Sequence, residues 1–311
     1  MKLLFVVDPI GGLDPGHDSS VALMRAAVAR EHEVLTTEMR HLSVRDSHVL
    51  AWAAAPELQP TAHGRITAGP GAIVDLDDVD LVLVRTDPPV NDDYLRATYL
   101  LDVAVRRGTA VTNHPEALRN TNEKLFALRF PELIPETVVS ASAVELTGAV
   151  ERWGRAVLKP TDAMGGRGVL LLERGHPNLA ALIETGTARG SRHVIVQRFV
   201  DDGTGSDRRI LAVDGEPVAA LRRTAQAPDF RCNMAVGASA AAAPLTARDR
   251  EICVALQTEL LARGIAFAGV DVIGDRLIEV NVTSPTGLRE ADDGSGAVAD
   301  DVLRRLLARL K

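Results

Sequence analysis

The sequence predicts an α/β unit built on a parallel sheet, followed by α+β structure, and three observations carry that expectation. Short apolar runs alternate with stretches of helical period through the first third of the chain, the pattern of strands covered by helices on both faces. Later runs come in pairs joined by turn residues, as at Asp214-Gly215, which is hairpin chemistry. At 311 residues the chain exceeds one ordinary domain, so two or three units around a shared cleft are expected.

Taken in order, "KLLFVV" over 2–7 forms the first strand; Asp8 and Pro9 follow at once, so it is too short for a signal core or a membrane span. "DPIGGLDPGHDSS" is a turn-rich loop whose Asp18 or Ser19 caps a helix over 20–30. "LVLVR" at 81–85 is the next strand, prolines mark the turn after it, a helix spans 93–107, and "TAVTN" gives a third strand. The region 43–75, rich in Ala, Pro and His, shows no clear period and reads as irregular. "PEALRNTNEKLFALRF" is expected to be helical in its later part, with strand character resuming at "PETVVSAS". Strands at 155–160, 168–173 and 192–200 enclose a helix over 177–189. After the connector "DDGTGSD" come the hairpin "RRILAVDGEPVAALRR", a helix over 246–263 capped by Thr246, a strand pair within "FAGVDVIGDRLIEVN", and a closing helix near 298–310.

Composition removes several function classes. A 46% apolar and 25% charged chain fits a soluble globular fold, while a net charge of −7 and 3% aromatics exclude a general nucleic-acid surface. Cys232 and Cys253 form no CxxC or metal-ligand spacing and read as reduced thiols of a cytoplasmic protein. "GGLDPGHDS" lacks the lysine of a P-loop and does not spell G-x-G-x-x-G. The helix start at Asp18–Ser20 offers backbone N–H groups to a substrate carboxylate, or is capped by Asp18, and the two readings are compatible.

Lysine usage points to the chemistry. Of 35 basic residues only four are lysines, Lys2, Lys124, Lys159 and Lys311, and two of these are terminal. A bias that replaces lysine by arginine elsewhere should spare positions needing a compact ammonium on a phosphate oxygen. In "VLKPTDAMGGRGV" a strand presents Lys159, and the Gly165-Gly166 loop lets backbone amides approach phosphates. In "DVIGDRLIEVN", Asp271, Glu279 and Asn281 form a hard-oxygen set suited to magnesium. Glu279 and Asn281 are i, i+2 on one strand, and a three-residue loop over 274–276 would bring Asp271 opposite Glu279, whereas a two-residue loop would turn it away.

The stretches "DPI", "DSS", "RTDPP" with "ATYLLD", "NHPEALRNTNEKLF", "LKPTDAMGGRGV", "VDGEPV" and "GVDVIGDRLIEVNVTSPTGLRE" run from one end of the chain to the other. In that order and spacing the chain resembles the bacterial glutathione synthetases of the ATP-grasp superfamily. The resemblance implies an ATP-grasp fold with an N-terminal parallel-sheet domain: residues 1–122 on the substrate side, 123–200 as a central lid domain, and 201–311 as a C-terminal catalytic domain with the metal hairpin. It implies ATP-phosphate contacts from Lys124, Lys159, Gly165 and Gly166, an adenine hinge over Gln197–Val200, and Asp207 near the ribose. Asp271, Glu279 and Asn281 would hold Mg2+, or Mn2+ in its place. Arg209, Arg231 and Asn233 would serve the transferred phosphoryl group, and Asp18, Arg85, Ser284, Thr286, Arg289 and Glu290 the peptide substrate. The implied reaction joins γ-glutamylcysteine to glycine through an acyl phosphate, in a homotetramer or dimer, with no nucleic-acid or membrane partner.

One stretch departs from the pattern. Where the family carries a lid of the type "PQGGETRGNLAAGG", this chain reads "AQAPDFRCNMAVGASAAAA". Arg231 and Asn233 persist, but the paired glycines are lost and Cys232 appears, so a stiffer or partly helical lid over 225–243 is expected. The alternatives this leaves are a related ligase with another acceptor amine and a nucleotide-binding regulator without catalysis.

Overall fold

The computed structural model describes residues 1–59 and 65–310. The N-terminal portion contains β1 (Lys2–Val6), α1 (Ser19–Ala29), β2 (Glu33–Thr37), β3 (Leu42–Arg45), β4 (His48–Ala53), β5 (Pro56–Glu57), β6 (Thr67–Ala68), β7 (Ala72–Asp75), β8 (Leu81–Val84), α2 (Asp92–Arg107), β9 (Val111–Thr112) and α3 (Pro115–Asn120). Next come β10 (Thr137–Ser140), α4 (Ala143–Trp153), β11 (Arg155–Pro160), β12 (Leu170–Glu173), α5 (Leu179–Gly186) and β13 (Val194–Arg198). The last portion holds β14 (Ser206–Val213), β15 (Glu216–Thr224), β16 (Ser239–Ala243), α6 (Ala247–Arg263), β17 (Phe267–Ile273), β18 (Arg276–Asn281) and α7 (Ala297–Ala308).

Each portion is organised around one larger sheet. The first has the order β2-β1-β8-β9 with every pairing parallel, as the alternation of strands and helices predicts. β1 is apolar on both sides because both are covered. Leu3 and Phe5 pack with Leu23 of α1 and with Val302, Leu303 and Leu306 of α7. Leu4 and Val6 pack with Tyr94, Ala97 and Leu101 of α2. The second sheet, β10-β13-β11-β12, is antiparallel, and Leu158, Leu172 and Val196 bury against Leu146 and Val150 of α4 and Ile183 of α5. The third, β16-β15-β14-β17-β18, is also antiparallel, and α6 covers one of its faces through Ile252, Leu256 and Leu260.

Three expectations are corrected. The region 43–75 is not irregular: β3, β4 and β7 form a sheet joined at Asp46-Ser47, both at positive φ, 50° and 70°, as a two-residue hairpin turn requires. The alternation was hidden because the outward residues Trp52 and Ile73 are apolar as well, and the turn is not the familiar Asn-Gly. Residues 60–64 of that region, and Lys311, lie outside the described residues. In 115–130 the α-helix is the early part, Pro115–Asn120, with only a 3-10 turn at Phe126–Arg129. The alanine tract is a strand: Ala240–Ala243 pair with Arg223–Ala220 of β15, so sheet pairing overrides helix propensity.

Asn113 staples the first sheet to the third. Its amide nitrogen donates to the carbonyls of Phe267 (2.7 Å) and Val282 (2.6 Å), and its oxygen accepts from the N–H groups of Ala266 (2.8 Å) and Phe267 (2.9 Å). All four positions of a buried amide are satisfied. Asn113→Ala would strand two donors and two acceptors, so we expect a loss of at least about 3 kcal/mol in urea unfolding, with Asn113→Asp no better because it removes both donors.

Candidate active site

A cleft of about 950 Å³ lies between the second and third sheets and reaches the loop before α1. The third sheet supplies its floor. Along β14, Asp207 and Arg209 face the cleft, and further on Leu211 and Val213 on the same face join the core beneath the first sheet. Arg209 stands opposite Asp271 of β17, and Asp271 opposite Glu279 of β18.

This register differs from the expected one. The hairpin turns on two residues, 274–275, yet Asp271 still faces Glu279, because Ile278 is an unpaired bulge between Val272↔Leu277 and Asp271↔Glu279. The β14–β15 hairpin does the same: its turn is Asp214-Gly215, and Val218 is the extra residue that lets Arg223 stand opposite Asp207. Sequence reading missed Arg223 because the bulge changes the register parity, and no single residue announces it.

The floor is a lattice of charges. Arg223 grips both oxygens of Asp207 (2.7 and 2.6 Å) and reaches Asp271 (2.9 Å), while Arg209 grips Asp271 (2.7 and 2.8 Å). All four residues are buried. Burial works to raise the Asp271 carboxyl, but the Arg209 and Arg223 charges outweigh it and hold Asp271 below the usual carboxylate range. Asp207 has the smaller share of the arginines, and burial pushes it up to about 6.

Lys124 and Lys159 stand above this floor. Lys124 donates to the Ala163 carbonyl and to Glu279 (3.2 Å). Lys159 donates to Gln197 (2.8 Å), a neutral amide, and burial lowers its ammonium to about 8 despite the attraction of Glu279. Glu279 and Asn281 open on the cleft. Val157, Met164, Phe199, Val200 and Ile278 form an apolar wall beside Gln197.

The lid lies closed on the glycine loop. Arg231 donates to the Gly166 carbonyl (2.9 Å) and is held by Asp229 (2.6 Å). Gly166 has φ +78°, and a Cβ there would stand 2.7 Å from the Asn233 amide oxygen, so both conformation and lid approach require glycine. Cys232 points its thiol toward the Gly205 carbonyl (3.7 Å), and burial pushes that thiol up to about 11.

At the far end, Asp18 caps α1, accepting from Ser20 (2.6 Å) and Val21 (3.1 Å), and also lines the cleft with Ser284, Thr286 and Glu290. Glu290 takes His17 on one oxygen (3.0 Å); its other oxygen is buried with no partner among the described residues. Two expected substrate residues are not in the lining. Arg85 is buried behind it, donating to Ser20 (3.2 Å) and the Pro285 carbonyl (2.9 Å), and Arg289 donates to the Gly16 carbonyl (3.1 Å). Both arginines brace the loops that form the wall. Asp87 and Glu123, which sequence reading passed over, do line the cleft.

Comparison with known proteins identifies relatives over nearly the whole chain. Residues 1–119 match the N-terminal domain of prokaryotic glutathione synthetase, and residues 123–296 match its ATP-grasp domain. The chain is 45% identical over 306 residues to a glutathione synthetase of Gloeobacter violaceus, covering 97% of this chain and 94% of that one. It is 38% identical over 314 residues to a glutathione synthetase of Vibrio cholerae, covering 99% of each. Among solved structures it resembles D-cycloserine synthetase DcsG (TM-score 0.68, 17% identity, 100% of both chains) and the ATP-grasp ligase PsnB in complex with its minimal precursor (TM-score 0.63, 19% identity, 99% of this chain and 98% of that one), likenesses of fold.

Removing Arg223 would leave Asp207 and Asp271 sharing Arg209 alone. We expect Arg223→Leu to cost about 3–5 kcal/mol at neutral pH. A carboxyl whose folded pKa lies above its unfolded value contributes stability at low pH and loses it as pH rises. The deficit should therefore shrink as pH falls through and below about 6, the value Asp207 reaches even with Arg223 present, which thermal melts across pH would read.

Proposed function

The chain belongs to the prokaryotic glutathione synthetase family of ATP-dependent ligases and makes glutathione, and we propose that it does so through an acyl phosphate formed in this cleft. The carboxylate of γ-glutamylcysteine attacks the γ-phosphorus of ATP as the bond to ADP breaks. The amine of glycine then attacks the acyl carbon, loses a proton and displaces phosphate. The observation that carries this reading is Lys159, a half-buried ammonium on the cleft wall held by a neutral amide, whose partial desolvation an arriving phosphate would offset.

In this assignment Lys159 and Lys124 take phosphate oxygens, Gly165 and Gly166 offer backbone N–H groups, and the apolar wall beside Gln197–Val200 receives the base. Asp207 shapes the wall through Arg223, since both its oxygens are engaged there. Glu279 and Asn281 present the oxygen donors that suit Mg2+, with Mn2+ as its substitute; Asp271 joins them only by yielding a guanidinium. The bound cation would supply charge neutralisation on the phosphate oxygens. Arg209, oriented by Asp271 and by Thr286 (3.2 Å), faces the transferred group, and Arg231 and Asn233 close over it and exclude water. Asp18, Ser284, Thr286 and Glu290 receive the peptide, with Arg85 and Arg289 behind them.

Units 1–122, 123–200 and 201–311 each carry one of the three larger sheets. Among the described residues no helix is long and apolar enough to cross a membrane. The unpaired Cys232 and Cys253 fit a cytoplasmic location. A dimer or tetramer rests on the family resemblance, and light scattering would read it.

Incubation with ATP, magnesium, γ-glutamylcysteine and equal glycine, alanine and serine should yield mainly the glycine product by mass spectrometry. Dominance of another product would overturn the acceptor but not the ligase. Glu279→Gln should lose roughly a hundredfold in kcat with little change in melting temperature. Lys159→Arg should weaken ATP binding roughly tenfold, because a planar fork replaces a compact ammonium. In the wild type the triphosphate favours protonated Lys159, so ATP affinity should be full below pH 8, fall as pH rises through about 8, and be accompanied by proton uptake in calorimetry.

A further inference from the structure

We propose that Glu123 is a positioning residue that holds the metal-ligand strand in place; the inference rests on the reading of Glu279 and Asn281 as metal ligands. β18 is the outer strand of the third sheet, so its far edge presents N–H groups that no other strand receives. The Leu133 carbonyl takes that of Leu277 (2.9 Å), and residue 123 takes those beside the proposed ligands. Its backbone carbonyl accepts from Val280 (3.1 Å), and Oε1 of its side chain accepts from Val282 N–H (2.8 Å), Thr283 N–H (2.9 Å) and the Thr283 hydroxyl (2.8 Å). These bonds bracket Asn281 and begin next to Glu279, since Val280 lies between the two proposed ligands and Val282 follows Asn281.

Val282 and Thr283 are buried, at 0% and 2% exposure, so their N–H groups have no water to fall back on when Glu123 is removed. The next residue, Lys124, reaches Glu279 on the same strand (3.2 Å). One dipeptide thus fastens both proposed ligands: Glu123 fixes the backbone that aims Asn281, and Lys124 holds the carboxylate of Glu279. Burial raises the Glu123 carboxyl above its usual range, with the charge of Glu279 adding to it, so this position is costly for a carboxylate unless the three donors are worth holding. A neutral amide oxygen can accept the same bonds, which separates a positioning role from a charge role.

The test uses the full chain with ADP and Mn2+ as the probe, titrated by electron paramagnetic resonance, alongside hydrogen exchange of residues 280–284. Glu123→Ala should weaken Mn2+ binding by about tenfold to a hundredfold and lose exchange protection at Val282 and Thr283. Glu123→Gln should keep both within about threefold. Should the alanine variant not fold, Thr283→Val, which removes one of the three donors, decides: the proposal expects a smaller but measurable loss of protection and of Mn2+ affinity, and no change in either would overturn it. Mn2+ affinity unchanged in Glu123→Ala would overturn the proposal. So would a Glu123→Gln chain that loses turnover while binding Mn2+ normally, which would make Glu123 a substrate contact. A wild-type chain with normal protection that binds no Mn2+ would overturn the metal reading, and this inference with it.

Discussion

Two extra residues, Val218 and Ile278, decide whether Arg223 and Glu279 join the charged face of the third sheet. In a strand the side chains alternate, so a slip of one residue sends every side chain to the opposite face. Both hairpins of this sheet turn on two residues, which by themselves would point Arg223 and Glu279 toward α6. One bulge in each second strand restores the parity. The adjoining residues then fall on the α6 side, where Ala220, Leu277 and Val280 belong to the core. Arg223 joins the lattice of Asp207, Asp271 and Arg209 only because of the Val218 bulge, and Asp271 stands opposite Glu279 only because of the Ile278 bulge.

That face is shared between two neighbours. Its polar half meets the second sheet across the cleft, and its apolar half, Leu211, Val213, Leu221 and Phe267, packs with α1 and α7 beneath the first sheet. The charged residues of the cleft are therefore mounted on a floor whose far end is anchored in a core and stapled by Asn113. The second sheet reaches it through side chains of the cleft and lid, among them Arg231 on Gly166. A floor packed into a core under a separately built cover suits a reaction that must exclude water.

The sequence pointed to those residues of the cleft whose type is itself the signal. Lys124 and Lys159 stood out as lysines in an arginine-rich chain, the Gly165-Gly166 pair as a loop that admits phosphate, and Asp271, Glu279 and Asn281 as oxygen donors with strand spacing. Parts that depend on backbone register were hidden. Arg223 looked like one more surface arginine until the Val218 bulge placed it opposite Asp207. Arg85 and Arg289 sit in motifs that also carry wall residues, and only the fold shows that their side chains turn back to brace the loops. The sheet of β3, β4 and β7 escaped because its outer face is as apolar as its inner one, and the alanine tract because its strand pairing with β15 overrides its local preference.

Cys232 has a consequence for an enzyme whose substrate and product both carry thiols. A cysteine in such a cleft invites mixed-disulfide exchange, which proceeds through the thiolate. With its thiol pushed up to about 11, Cys232 is ionised only to the order of one part in ten thousand near pH 7. Its sulfur faces the Gly205 carbonyl under the lid, away from bulk solvent. The residue that replaced a glycine in the lid is thereby kept chemically silent, and oxidised glutathione accumulating in a stressed cell finds little thiolate there to capture.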